Sequence, residues 1–147
     1  MDDLLDDIDR HLVRLLQEDG RRSVPDLAER VGIGRATAYQ RLGRLRDRGV
    51  IQGFTARVDP AKLGLHLSAL ILIRAEQHAW RDLAPQLLSL PGVEWLGATA
   101  GEFDFALLVR VADVTTLRDV VLDGLQALPT VRSSQTVLLL EDHRLNA

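Results

Sequence analysis

Four histidines, an acidic start and an arginine-rich stretch are the parts of this 147-residue sequence whose side chains could do chemistry. His11, His66, His78 and His143 are far apart, and no two are separated by four residues, so they lack the spacing of a zinc or iron site. They are expected as surface or half-buried histidines. Asp2, Asp3, Asp6, Asp7 and Asp9 resemble a metal cage in number only, because carboxylates in a first helical turn serve the helix dipole. Cysteine is absent, which excludes a thiol nucleophile, a zinc ribbon and a disulfide framework. There is no GxSxG and no GxxxxGK followed by Ser or Thr. Gly32-Ile33-Gly34 follows a helical pattern rather than a strand, which excludes a dinucleotide turn. The expectation is a chain without catalysis, cofactor or metal.

The arginines are more informative. The net charge is −3, but residues 20–57 carry nine Arg against Asp26, Glu29 and Asp47, whereas residues 1–19 carry two Arg and seven acidic groups. A basic stretch between acidic ones is an electrostatic footprint for phosphate; a solvated helix face is the plain alternative.

The elements that would position these arginines are helical. Leu5, Ile8, Leu12, Leu15 and Leu16 keep the three-and-four spacing of one helix face, ending at Asp19-Gly20. Ser23 is an N-cap, with Asp26 in the capping-box position and Pro25 in the first turn, for a short helix from about Val24 to Val31. After Gly32-Ile33-Gly34 a third helix turns Ala38, Leu42 and Leu45 inward and ends at Gly49. Two helices joined by a three-residue glycine turn make a helix-turn-helix. Its outer face holds Ala36, Gln40, Gly43 and Asp47, flanked by Tyr39 and Arg44. A helix presenting such residues fits a major groove, where glutamine pairs bidentately with adenine. Arg35, Ala36, Thr37, Tyr39, Gln40 and Arg44 are the candidate DNA-facing residues, with Arg21, Arg22, Arg46 and Arg48 toward phosphate. Arg41 lies near the buried edge, where an internal pair with Asp26 or Glu29 competes with a DNA contact. Val50 to Val58 reads as a short hairpin or strand, a wing or a connection.

Beyond Asp59-Pro60 strands and helices alternate. Leu67–Arg74, Val93–Ala100, Asp104–Val111 and Val131–Leu140 read as strands; Trp80–Leu90 and Val114–Leu128 read as amphipathic helices. The order βαββαβ is a ferredoxin-like split unit whose four antiparallel strands carry both helices on one face. The fold expected is α+β: a winged helix-turn-helix over residues 1–59 and a ferredoxin-like domain over 60–147. The sheet's uncovered apolar face predicts at least a dimer. No apolar run approaches the ~20 residues a bilayer requires, so the expected compartment is the cytoplasm and no membrane partner is expected.

Leu5-Asp6 to Asp9, Gly20-Arg21, Leu27-Ala28, Val31-Gly32-Ile33, Arg41-Leu42, Leu45, Gly49-Val50-Ile51, Leu63-Gly64, Gly101-Glu102-Phe103-Asp104 and Leu128-Pro129 with Val131 together resemble the Lrp/AsnC family of feast/famine transcriptional regulators. The resemblance spans nearly the whole chain. It implies double-stranded DNA as partner, a C-terminal domain that dimerises and often assembles four dimers, and a small effector, usually an amino acid, bound near the Gly101–Asp104 turn. Gly101 would then give backbone amides access to a carboxylate, and Asp104 would accept from an ammonium. Thr99, Ser134 and Thr136 are the hydroxyl candidates, and Phe103 would wall the side-chain pocket. Two plainer roles stand beside these: Gly101 as a positive-φ hairpin residue, and Asp104 as a cap of the same turn. Ala100 replaces a hydroxyl frequent in the family, which favours the alternative of an architectural DNA-wrapping protein without ligand control.

Overall fold

The computed structural model describes residues 5–76 and 80–142; Asp2, Asp3, His78 and His143 lie outside the described residues. The described chain divides after Arg57 into two compact units.

In the first unit, α1 (Asp7–Glu18), α2 (Val24–Val31) and α3 (Arg35–Asp47) form where the sequence periodicity placed them. Asp6 caps α1, its Oδ1 accepting from the Asp9 N–H at 2.8 Å, and Ser23 caps α2 through the Asp26 N–H at 3.3 Å. Gly32 closes α2 in the left-handed region at φ 77°, which lets the Gly32 and Ile33 N–H groups both reach the Ala28 carbonyl. Leu12, Leu15, Leu27, Ala38 and Leu45 are buried, with Leu42 half-buried beside them. Each fully enclosed leucine contributes roughly 1.5–3 kcal/mol by leaving water. Residues 51–58 form no strand, which corrects the expected hairpin or strand; of the two roles expected for this segment, wing or connection, the connection is what remains.

The second unit has β1 (Leu67–Ala75), α4 (Trp80–Leu88), β2 (Val93–Ala98), β3 (Phe105–Val111), α5 (Val114–Asp119) and β4 (Val131–Leu139), preceded by a 3-10 turn at Ala61–Leu63. The strands lie in the order β2-β3-β1-β4, every pair antiparallel. Ala69, Ile71 and Ile73 pair with Val109, Leu107 and Phe105 and face the helices, where Leu83, Leu87, Leu117 and Leu125 complete the core. Leu70, Leu72, Leu108, Trp95, Val137 and Leu139 occupy the other face by strand alternation and pairing. The second helix of this unit departs from a regular α-helix to Leu128: from Val120 to Leu125 the chain winds as a π-helix. Two adjacent valines and Gly124 weaken the α preference there, and Gly124 presses against Leu90, whose Cδ2 would lie 2.8 Å from an added Cβ. No helix among the described residues is long and apolar enough to cross a membrane.

Candidate functional site

The outer side of α3 is assembled by burying its inner side. With Ala38 and Leu45 enclosed, Arg35, Ala36, Thr37, Tyr39, Gln40, Arg44 and Arg46 are all exposed, Tyr39 to 61%. Gly43 sits in the same stretch, and a Cβ built there would meet nothing within 4 Å. This helix interior therefore presents bare backbone outward, at a helix-propensity cost of up to ~1 kcal/mol relative to alanine. The guanidinium groups of Arg21, Arg35, Arg44 and Arg46 form no ion pair among the described residues. Three uncommitted cations on an exposed polar helix, with Arg21 ahead of α2, can neutralise phosphates, and Gln40 can present its amide to a base edge.

Other arginines of this unit are committed internally. Arg41 reaches Asp6 Oδ2 at 2.6 Å and Asp9 Oδ1 at 2.9 Å, both through Nη1. It is an internal pair, as its position near the buried edge allowed, but its partners are on α1 rather than Asp26 or Glu29. The Asp9 N–H and then Arg41 hold Asp6 below the usual carboxylate range, and Asp6 and Asp9 in turn raise Arg41. Arg22, expected toward phosphate, instead bridges Asp26 at 3.2 Å and Glu18 at 3.7 Å and donates to the Leu15 carbonyl at 3.3 Å. Asp26 carries Arg30 as well, and Arg30 first, then Arg22, hold its carboxyl low. The i,i+4 spacing on α2 was the sequence signal for Asp26 and Arg30 alone; Arg22 lies between α1 and α2, so its pairs with Glu18 and Asp26 depend on the turn.

In the second unit, the Gly101–Asp104 turn is bound to β1. The Asp104 N–H donates to the Ile73 carbonyl at 2.8 Å, and Asp104 Oδ2 accepts from the Ala75 N–H at 2.8 Å. Asp104 thus ties the turn to the neighbouring strand rather than capping its own turn, and its other carboxylate oxygen accepts no hydrogen bond among the described residues. The Thr99 N–H donates to the Asp104 carbonyl at 2.9 Å, and the Thr99 hydroxyl donates to the Phe103 carbonyl. Gly101 has φ 141°, and a Cβ there would meet nothing within 4 Å, so the backbone is open to approach. Phe103 is half-buried beside it. Thr99, Gly101, Phe103 and Asp104 are therefore brought together. Ser134 and Thr136 are not: they pair with Ile73 and Ile71 across β1 and so share the helix-side face of the edge strand β4. Their strand parity, not their place in strand order, decides this, since one residue's shift exchanges the faces.

Sequence reasoning did not single out Arg74. Its Nε donates to the Glu102 carbonyl at 3.1 Å, its Nη2 bonds the Glu102 carboxylate, and its guanidinium lies 5.4 Å from the Phe103 ring centre. The signal was available as the lone charge in the apolar run Leu67–Ala75. No group of three or more His, Asp or Glu that could hold a metal ion is found among the described residues.

A helix-turn-helix unit with exposed cations, joined to a four-stranded α+β unit with an open, polar turn, defines a DNA-binding regulator carrying a ligand-binding domain. Residues 5–46 match the AsnC-type helix-turn-helix domain and residues 68–145 the Lrp/AsnC ligand binding domain. The chain belongs to the Lrp/AsnC family of transcriptional regulators. It is 40% identical over 140 residues to the HTH-type transcriptional regulator LrpA of Mycobacterium tuberculosis, covering 95% of this chain and 93% of that one. Among solved structures it resembles a feast or famine regulatory protein of M. tuberculosis complexed with L-methionine, with TM-score 0.87 and 37% identity over 97% of this chain and 96% of that one. It also resembles a Neisseria meningitidis transcriptional regulator in complex with L-methionine, with TM-score 0.87 and 28% identity over 97% of this chain and 94% of that one.

Proposed function

We propose that this chain is a sequence-specific regulator that reads double-stranded DNA through α3 and whose DNA binding responds to an amino acid held at the Gly101–Asp104 turn. The observation carrying the DNA reading is the segregation of arginines in residues 20–57: Arg22, Arg30 and Arg41 are neutralised internally, while Arg21 ahead of α2 and Arg35, Arg44 and Arg46 on the helix of Tyr39 and Gln40 remain exposed. The effector reading rests on the open backbone at Gly101 and the partly used carboxylate of Asp104, a pair of features matched to the two ends of a zwitterion. The complexes of two structural neighbours with L-methionine support the same chemical class. A homodimer through the open apolar sheet face belongs to this proposal, because two-fold symmetry sets two recognition helices one or more DNA turns apart.

The test is binding to the protein's own promoter DNA with and without each of the twenty amino acids. Sequence-selective binding altered by an amino acid is the expected result. Equal binding to unrelated DNA, indifferent to every amino acid, would transfer the protein to the architectural class.

A further inference from the structure

Arg74 lies at the end of β1 with its guanidinium against the Gly101–Asp104 turn. It is 45% exposed as a side chain, and its partner Glu102 is 67% exposed. Glu102 comes from within the turn itself, so the turn carries its own carboxylate and sets it on the nearest cation. The same guanidinium lies over the Phe103 ring, 5.4 Å from its centre, a second contact beside Glu102. Asp104 has one oxygen already held by the Ala75 N–H, the backbone group that follows Arg74 on β1. The turn therefore combines a fixed cation, a fixed anion and an aromatic wall within four consecutive residues and one strand end.

We propose that Glu102 is an internal stand-in for the effector's carboxylate, and that an amino acid binds by displacing it from Arg74. This deepens the effector reading above and rests on it. The assignment differs from one in which backbone amides at Gly101 alone receive the carboxylate: a guanidinium offers a charged, two-pronged donor that a peptide N–H does not. Exchange is feasible because an ion pair this exposed is weakly held and screened by solvent. The swap is balanced in charge, since one carboxylate leaves Arg74 and another arrives, while the effector's ammonium meets Asp104. The displaced Glu102 side chain is then released to solvent at the tip of the turn, so occupancy alters the turn's outer surface.

The experiment is titration calorimetry on the full chain with L-methionine and the nineteen other amino acids, each followed by its carboxamide, which keeps the ammonium and lacks the carboxylate. Glu102→Gln removes the competing charge and keeps the shape at an exposed position. It is expected to tighten amino-acid binding roughly two- to fivefold, the range set by an exposed ion pair, without tightening carboxamide binding. Arg74→Gln is expected to weaken the amino acid about tenfold or more and to abolish the preference over the carboxamide. Unchanged or weaker binding by Glu102→Gln overturns the displacement proposal, whatever Arg74→Gln does to folding. A wild-type amino-acid complex with these variants silent refutes the proposal and leaves the effector reading standing. No binding of any amino acid to either wild type or Glu102→Gln refutes both.

Discussion

Arg41 on α3 and Asp9 on α1, thirty-two residues apart, meet at 2.9 Å from guanidinium Nη1 to carboxylate Oδ1, and Asp9 is only 7% exposed. The pair links the start of the first helix to the middle of the helix proposed to read DNA. Because Asp6 joins through the same nitrogen at 2.6 Å, rotation of α3 about its axis would break two charge-assisted bonds together.

Arg41→Ala is therefore expected to lower the melting temperature by leaving Asp9 enclosed without its cation, and to weaken DNA binding for all sequences alike. In a double-mutant cycle with Asp9→Ala the two losses should be non-additive. A change of base preference with an unaltered melting temperature would instead make Arg41 a base contact. Thermal unfolding and binding to a set of operator variants distinguish the two.

Gln40 and Arg46 should separate specificity from affinity. Gln40→Ala is expected to cost about 1–3 kcal/mol at one base pair and relax preference there. Arg46→Ala should weaken every sequence and reduce the magnitude of the salt slope by about one. Titrations at several salt concentrations measure both; an unchanged site preference in Gln40→Ala would place another face of α3 toward the bases.

Acid should loosen the helix-turn-helix unit. Asp6 is held below its ordinary value by the Asp9 N–H and Arg41, and Asp26 by Arg30 and Arg22. A carboxyl whose folded value is lowered stabilises the fold above its unfolded value, and that stabilisation is lost as pH falls through the folded value. The loss is expected below about pH 4. Amide exchange of α1–α3 should accelerate there, and Asp6→Asn should be less stable near neutrality yet show a shallower acid dependence. Equal acid slopes in the two proteins would contradict the assignment.

What could be read before the fold was known followed from period and capping. Ser23 and Gly32 bracket α2, and Ala38 and Leu45 orient α3, because these effects are local. The apolar runs of β1 and β3 likewise mark strands, and the order βαββαβ sets both helices on one face of their sheet. The partners of Arg41 were not legible, since they depend on how α1 crosses α3. Nor was the face of Ser134 and Thr136, which is fixed by the cross-strand register with β1. The π-helix at Val120–Leu125 was not legible either, because a weak local α preference leaves the winding to be decided by the close approach of Gly124 to Leu90.

Gly92 offers a strict test of the second unit. Its φ is 76°, and a Cβ there would lie 2.5 Å from the Arg110 carbonyl oxygen and 2.9 Å from Val111 Cγ1. Its own carbonyl accepts from the Arg110 N–H at 2.8 Å, so the backbone cannot simply withdraw. Gly92→Ala combines left-handed strain with a backbone clash and is expected to destabilise by about 2–4 kcal/mol. Denaturant unfolding followed through Trp95 measures it; a loss below about 0.5 kcal/mol would mean that the Pro91–Gly92 turn relaxes freely.

The open sheet face makes the last prediction. Leu70, Leu72 and Leu108 lie at its centre with Val137 and Leu139 to one side, and the Trp95 ring lies across Gly97 on the other, where an added Cβ would meet the indole at 2.3 Å. Contiguous apolar surface beyond about a few hundred Å² is uncommon on a soluble monomer. Arg110 sits on this same face, and an unpaired guanidinium would oppose its burial against a second copy. It is only 4% exposed, however, and Glu94 at 2.9 Å together with Asp142 neutralises it. Burial alone would lower its basicity; Asp142 and Glu94 overcome this and keep it charged but compensated. The face can therefore meet its two-fold copy without an orphaned charge. The wild-type chain is expected to sediment as a dimer or a larger even assembly at micromolar concentration. Leu108→Asp, which places a carboxylate at the centre of the face, should shift it to monomer and reduce cooperative binding to paired half-sites. A folded wild-type monomer at that concentration, or an undiminished assembly in Leu108→Asp, would assign the interface elsewhere.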